Sequence, residues 1–89
     1  MSGTVTVTLI GKPGCHLCDD AKAIVDRVSE NHPDVMAEER SIEDNPLWAE
    51  LYGELIPVIM VDGVEVAHWR VDEQALEKAV NDRLTADID

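Results

Sequence analysis

The chain has 89 residues, 45% of them apolar, and carries 19 acidic against 7 basic side chains for a formal net charge of −12. That length holds one domain, and the apolar share is ordinary for a globular protein. So acidic a chain argues against nucleic acid or an anionic membrane surface as a partner, and no run approaches the ~20 apolar residues of a membrane span.

Residues 1–89 read as a single domain with no linker, repeat or low-complexity stretch. Thr4–Ile10 alternates threonine with valine and then turns apolar, which predicts a strand that becomes buried toward its end. It is too short and too threonine-rich for a secretory leader, and no basic stretch precedes it, so a cytoplasmic location is expected. Gly11-Lys12-Pro13-Gly14 is a loop. From Cys15, the residues Leu17, Ala21, Ile24, Val25 and Val28 fall at helical spacing and form the apolar face of a first helix. Asn31-His32-Pro33-Asp34 stops it. Val35–Ile42 is a weaker strand nearer an edge. Asn45-Pro46 starts a short second helix, with Leu47 and Leu51 on its apolar side, Trp48 and Tyr52 as further candidates for it, and Gly53 at its end. Pro57–Val61 is a continuous apolar run, as for a central strand. Asp62-Gly63 is a hairpin turn that returns the chain as Val64–Trp69. Asp72 caps a last helix bearing Leu76, Ala79, Val80 and Leu84. Residues 85–89 read as a frayed tail.

The order is β-α-β-α-β-β-α. A strand–helix–strand crossover makes the first two strands parallel, and the hairpin makes the last two antiparallel. An α/β fold follows: a four-stranded mixed sheet with helices on both faces. No exposed apolar stripe is left over in this reading, so a monomer is expected.

Cys15-His16-Leu17-Cys18 holds the only two cysteines. A C-x-x-C between a strand and a helix reads as a redox dithiol. The first cysteine meets the unpaired N–H groups of the helix N-terminus, which favour a thiolate. The second lies one turn on, within reach of a disulfide. Lys12 and His16 bring positive charge to the motif, and Asp19 and Asp20 bring negative charge. Lys12 and Arg70 make a local basic rim that suits a carboxylate of a thiol substrate or cofactor. No bound cofactor is expected. In the cytoplasm a cysteine pair serves catalysis or metal binding rather than a structural staple. The alternative is therefore a non-catalytic metal or iron–sulfur module built on the same thiolates. One C-x-x-C with His16, His32 and His68 scattered is short of the four ligands of structural zinc, whereas a cluster shared by two chains needs only one pair from each.

Taken together, Lys12-x-x-Cys15-x-x-Cys18, Ile56-Pro57 at the start of the third strand and Asp72 before the last helix resemble the glutaredoxin family. The resemblance covers essentially the whole chain and implies a thioredoxin-like fold with a cis-proline at Pro57. It implies disulfide reduction through Cys15 as nucleophile and Cys18 as resolving thiol. It also implies that Lys12, Ile56, Pro57 and Asp72 surround the substrate or thiol cofactor, with the Ile56 backbone offered to it; His16, inside the motif, and Arg70, on the basic rim, join them as candidate contacts by their charge and position. Two departures stand out. His16 and Leu17 replace the family's proline and aromatic residue. His68-Trp69-Arg70 replaces a Gly-Gly pair that lets the backbone approach glutathione, so the usual glutathione seat is not implied. Trp69-Arg70-Val71-Asp72 is loosely similar to an aromatic-Arg-Pro-Asp stretch of redoxins dedicated to one partner enzyme, ribonucleotide reductase. The substrate implied is a disulfide-containing protein or a small thiol's disulfide. The electron donor is left open among glutathione, another low-molecular-weight thiol and a flavoprotein reductase, as is a monothiol or dithiol route.

Overall fold

Residues 4–86 are described by the computed structural model of the chain. Strand β1 (Val5–Gly11) turns Val5, Val7 and Leu9 to one face of the sheet and Thr6, Thr8 and Ile10 to the other, as the two-residue period requires. Helix α1 (His16–Asn31) follows, then β2 (Val35–Ser41), a one-turn 3-10 helix (Ile42–Asp44) and α2 (Pro46–Tyr52). The chain closes with β3 (Val58–Val61), β4 (Val64–His68) and α3 (Glu73–Ala86). The sheet order is β2-β1-β3-β4, parallel between β1 and β2 and antiparallel elsewhere.

Helices α1 and α3 pack against each other and on β1. Ala21, Val25, Val28, Leu76 and Val80 meet Val5, Val7, Leu9, Ile59 and Val61 in one buried cluster. The other face is covered at one end only. Ile10, Val58 and Pro57 are fully buried there, while Thr6, Thr8 and Met60 are half-buried. Asp62 and Gly63 both adopt positive φ, 51° and 85°, as a tight two-residue hairpin demands. The turn is tied down twice: Asp62 Oδ1 accepts the Thr6 N–H at 2.9 Å, and Arg83 Nε donates to Asp62 Oδ2 at 3.0 Å.

Three expectations need correction. Leu17 is not core: it stands 42% exposed at the first turn of α1. Leu47 and Leu51 also face solvent, and Trp48 and Tyr52 turn inward instead. Both pairs are spaced i, i+4, so helical periodicity allows either, and here the bulkier pair takes the sheltered side. Together with the exposed Met36, Val64 and Val66, these residues leave more apolar surface open than the sequence reading allowed. Helix α3 runs as far as Ala86, with Leu84 packed against the core. Residues 87–89, the rest of the expected tail, lie outside the described residues.

Candidate active site

The strand register brings three segments to one end of the sheet. Gly11 pairs with Ser41, Ile10 with Val58, and Val58 with His68. The β1–α1 loop, the start of β3 and the turn after β4 therefore share that end. Cys15 is the N-cap of α1, with φ −94° and ψ 114°, and its Sγ accepts the Cys18 N–H at 3.2 Å. A cysteine thus fills the place usually given to serine or aspartate, and one of the helix's orphan N–H groups points at its sulfur. Cys15 is half-buried, whereas Cys18 is 8% exposed.

Cys18 sits hard against the end of β1. A Cβ on Gly11 would lie 2.7 Å from Cys18 Sγ, so only glycine leaves room for that sulfur. Burial pushes the Cys18 thiol up to about 11, helped by its hydrogen bond to the Cys15 sulfur and by the charges of Cys15 and Asp19. The Lys12 backbone N–H, bonded to the Cys18 sulfur, pulls the other way. Cys18 is therefore held as a neutral thiol behind the accessible sulfur of Cys15.

The Ile56–Pro57 peptide bond is cis. Pro57 is buried and Ile56 half-buried. Lys12, Gly11 and Cys18 line a pocket of about 340 Å³ shared with Glu39 and Arg40 of β2. Arg70 lines a second one, of about 370 Å³, with Leu17, Asp20, Ile24 and Trp69. The two cations expected to form one basic rim are thus divided between two pockets. His16 is the exposed first residue of α1. Asp72 Oδ1 accepts the Gln74 N–H at 3.0 Å and so caps α3. Among the described residues, no group of three or more His, Cys, Asp or Glu side chains is arranged to hold a metal ion.

Trp69 carries more of the site than its sequence suggested. It adopts φ 64°, a left-handed conformation that costs a non-glycine residue on the order of 1–3 kcal/mol. Its backbone N–H is shared between Leu55 O at 3.1 Å and Pro57 O at 2.9 Å. Its indole Nε1 donates to Glu54 O at 2.7 Å. Three contacts therefore fasten it to the segment leading into Pro57. The one signal available was the family's Gly-Gly pair, since glycine pairs mark positions where positive φ is tolerated. Gly11, Leu17 and Asp20 carried no comparable mark.

The strand order, the helix pair packed on one face and a cysteine pair at the head of α1 define a thioredoxin-fold protein. Solved structures agree. The chain matches the protein Ne2328 from Nitrosomonas europaea with a TM-score of 0.74 at 21% identity, over 89% of this chain and 94% of that one. It matches a structural-genomics target protein, XcR50, from X. campestris with a TM-score of 0.69 at 25% identity, over 85% and 96%. A mutant thioredoxin from Halobacterium salinarum gives 0.65 at 22% identity, over 92% and 76%. Residues 6–81 match the family described as glutaredoxin-like domain (DUF836), and the chain belongs to that family. No curated protein matches the sequence. Family and cysteine pair together support a redox-type function. No helix among the described residues is long and apolar enough to cross a membrane.

Proposed function

We propose that the protein is a glutaredoxin-like thiol–disulfide oxidoreductase of the cytoplasm, working through Cys15 and Cys18. The observation that carries this reading is the asymmetry of the pair: a half-buried Cys15 sulfur facing a helix N–H, and a buried Cys18 whose thiol is pushed up to about 11. In the first step the Cys15 thiolate attacks one sulfur of a substrate disulfide. A mixed disulfide forms, and the other substrate sulfur leaves as a thiolate. In the second, Cys18 loses its proton and attacks Cys15 Sγ, which releases the remaining substrate thiolate and closes the Cys15–Cys18 disulfide. Two electrons pass to the substrate. Glutathione, another low-molecular-weight thiol or a flavoprotein reductase then returns two electrons to the pair. The high position of the Cys18 thiol, set chiefly by burial, favours this order, because it leaves the accessible Cys15 as the sulfur that attacks first.

Cys15→Ser is expected to abolish turnover of a small disulfide substrate, followed by release of its thiol. Cys18→Ser is expected to hold the mixed disulfide on Cys15, visible as a mass adduct after acid quench. Turnover that is unchanged in Cys15→Ser defeats the assignment.

A further inference from the structure

We propose that the groove between α1 and the β4–α3 turn, which reaches the C-x-x-C motif at Leu17, seats an apolar side chain of a polypeptide substrate close to the disulfide that Cys15 attacks. The inference rests on the oxidoreductase reading above and names the substrate class: polypeptide disulfides with an apolar residue beside the cysteine, in preference to glutathione disulfide. Leu17 lies inside the C-x-x-C motif and Trp69 at the opposite wall, and both line the same space of about 370 Å³. Ala21, Ile24 and Val71 complete its apolar lining.

Leu17 and Trp69 remain 42% and 52% exposed, although each is large and apolar and neither belongs to the core cluster. The indole has committed its only donor to Glu54 O, and its backbone N–H is taken by Leu55 O and Pro57 O. Its ring also meets the His68 ring edge-to-face, with centroids 5.1 Å apart, and what it offers the groove is the remaining apolar surface of the indole. A rigid aromatic wall held in a strained backbone conformation suits recognition better than packing, since it buries little within the chain.

Charge points the same way. The groove holds one cation, Arg70, and one carboxylate, Asp20. A small thiol bearing two carboxylates finds no pair of cations there, because Lys12 lines the other pocket. The groove's own Asp20 and the exposed Glu54, whose carbonyl holds the indole, on a chain of net charge −12 instead favour a substrate with basic residues around its apolar one. The chemistry is the exchange already described, with the leaving and released thiolates now those of the polypeptide.

The test is single-turnover reduction by the pre-reduced protein, quenched by alkylation and read by mass. The probes are a lysine-flanked cysteine peptide linked to its own copy by a disulfide with leucine beside the cysteine, its alanine analogue, glutathione disulfide and 2-hydroxyethyl disulfide. The expected result is reduction of the leucine peptide roughly tenfold or more faster than its alanine analogue or glutathione disulfide, the scale of one well-seated apolar side chain. Trp69→Gly, which suits the positive φ, and Leu17→Ser are each expected to bring the leucine-to-alanine ratio close to one. A wild-type protein that reduces 2-hydroxyethyl disulfide but shows no preference for leucine overturns the inference and leaves the oxidoreductase reading standing. A preference that survives both substitutions also overturns it. Failure to reduce any of the four probes defeats the oxidoreductase reading, and the inference with it.

Discussion

At the scale of single residues, one hydrogen atom decides how closely the two thiols can be held. Gly11 ends the central strand β1, and any Cβ there would lie 2.7 Å from Cys18 Sγ and 3.1 Å from Cys18 Cβ. The nearer contact is with a sulfur fixed in the first turn of a helix, so it cannot swing aside freely. Gly11→Ala is therefore expected to destabilise the reduced protein by about 1–3 kcal/mol, the usual cost of overpacking. Chemical denaturation measures it. In a double variant that adds Cys18→Ala, the sulfur is gone and most of that cost should disappear. Equal costs with and without the sulfur would show that the glycine matters for some other reason. The same scale marks where sequence reading reached its limit in the site. The cysteine pair and the cap at Asp72 were legible because residue type and spacing announce them, whereas the cis bond at Pro57 was legible only through the family resemblance. Trp69 was not, because nothing in a tryptophan marks a left-handed backbone. That conformation comes from carbonyls at 54, 55 and 57, which are remote in sequence.

At the scale of elements, α3 is the clearest case of local chemistry fixing a boundary. Its start rests on Asp72, whose carboxylate accepts the Gln74 N–H and whose carbonyl accepts the Leu76 N–H at 3.0 Å. Removing the side chain strands a helix-terminal donor. Asp72→Ala is thus expected to lower stability by about 1 kcal/mol. Asp72→Ser or Asp72→Asn should recover most of it, because each keeps a side-chain acceptor. If Asp72 acted as a ligand contact alone, the loss would fall on substrate affinity and leave the unfolding midpoint in place. The other elements were legible for the same reason that α3 was: strands and long helices declare themselves through periods of 2 and 3.6. The short helix α2 did not declare which side faces in. Leu47 with Leu51 and Trp48 with Tyr52 satisfy the helical period equally, and the structure sets the leucines outward at 62% and 61% exposure. A seven-residue helix gives too few turns for the pattern to break that tie.

At the scale of the whole molecule, the buried resolving thiol makes stability depend on pH. Cys18 sits at about 11 in the folded protein against 9.0 for an ordinary thiol, chiefly because of burial. Below pH 9 the thiol is protonated whether the chain is folded or not, and it imposes no penalty. Between pH 9 and about 11 the unfolded chain releases the proton and the folded chain does not. The unfolded state is then favoured, and stability falls. Two decades at about 1.4 kcal/mol each amount to roughly 3 kcal/mol, a sizeable part of the 5–15 kcal/mol typical of a domain. Asp62 acts at the other end of the scale. The Thr6 N–H and the Arg83 guanidinium hold its carboxyl below the ordinary range, so its contribution is kept above that range and lost as acid protonates it. Stability of the reduced protein is therefore expected to be highest between these limits and to fall on the alkaline side as pH climbs from 9 toward 11. Urea denaturation of the reduced protein and of Cys18→Ala, run at pH 7, 9 and 10.5, separates this thiol from every other group that titrates in the same range. The variant should lose less stability than the parent between pH 9 and 10.5. Equal slopes for the two would mean that Cys18 ionises as freely in the folded protein as in the unfolded chain, and the protonated resolving thiol on which the proposed order of steps depends would have to be abandoned.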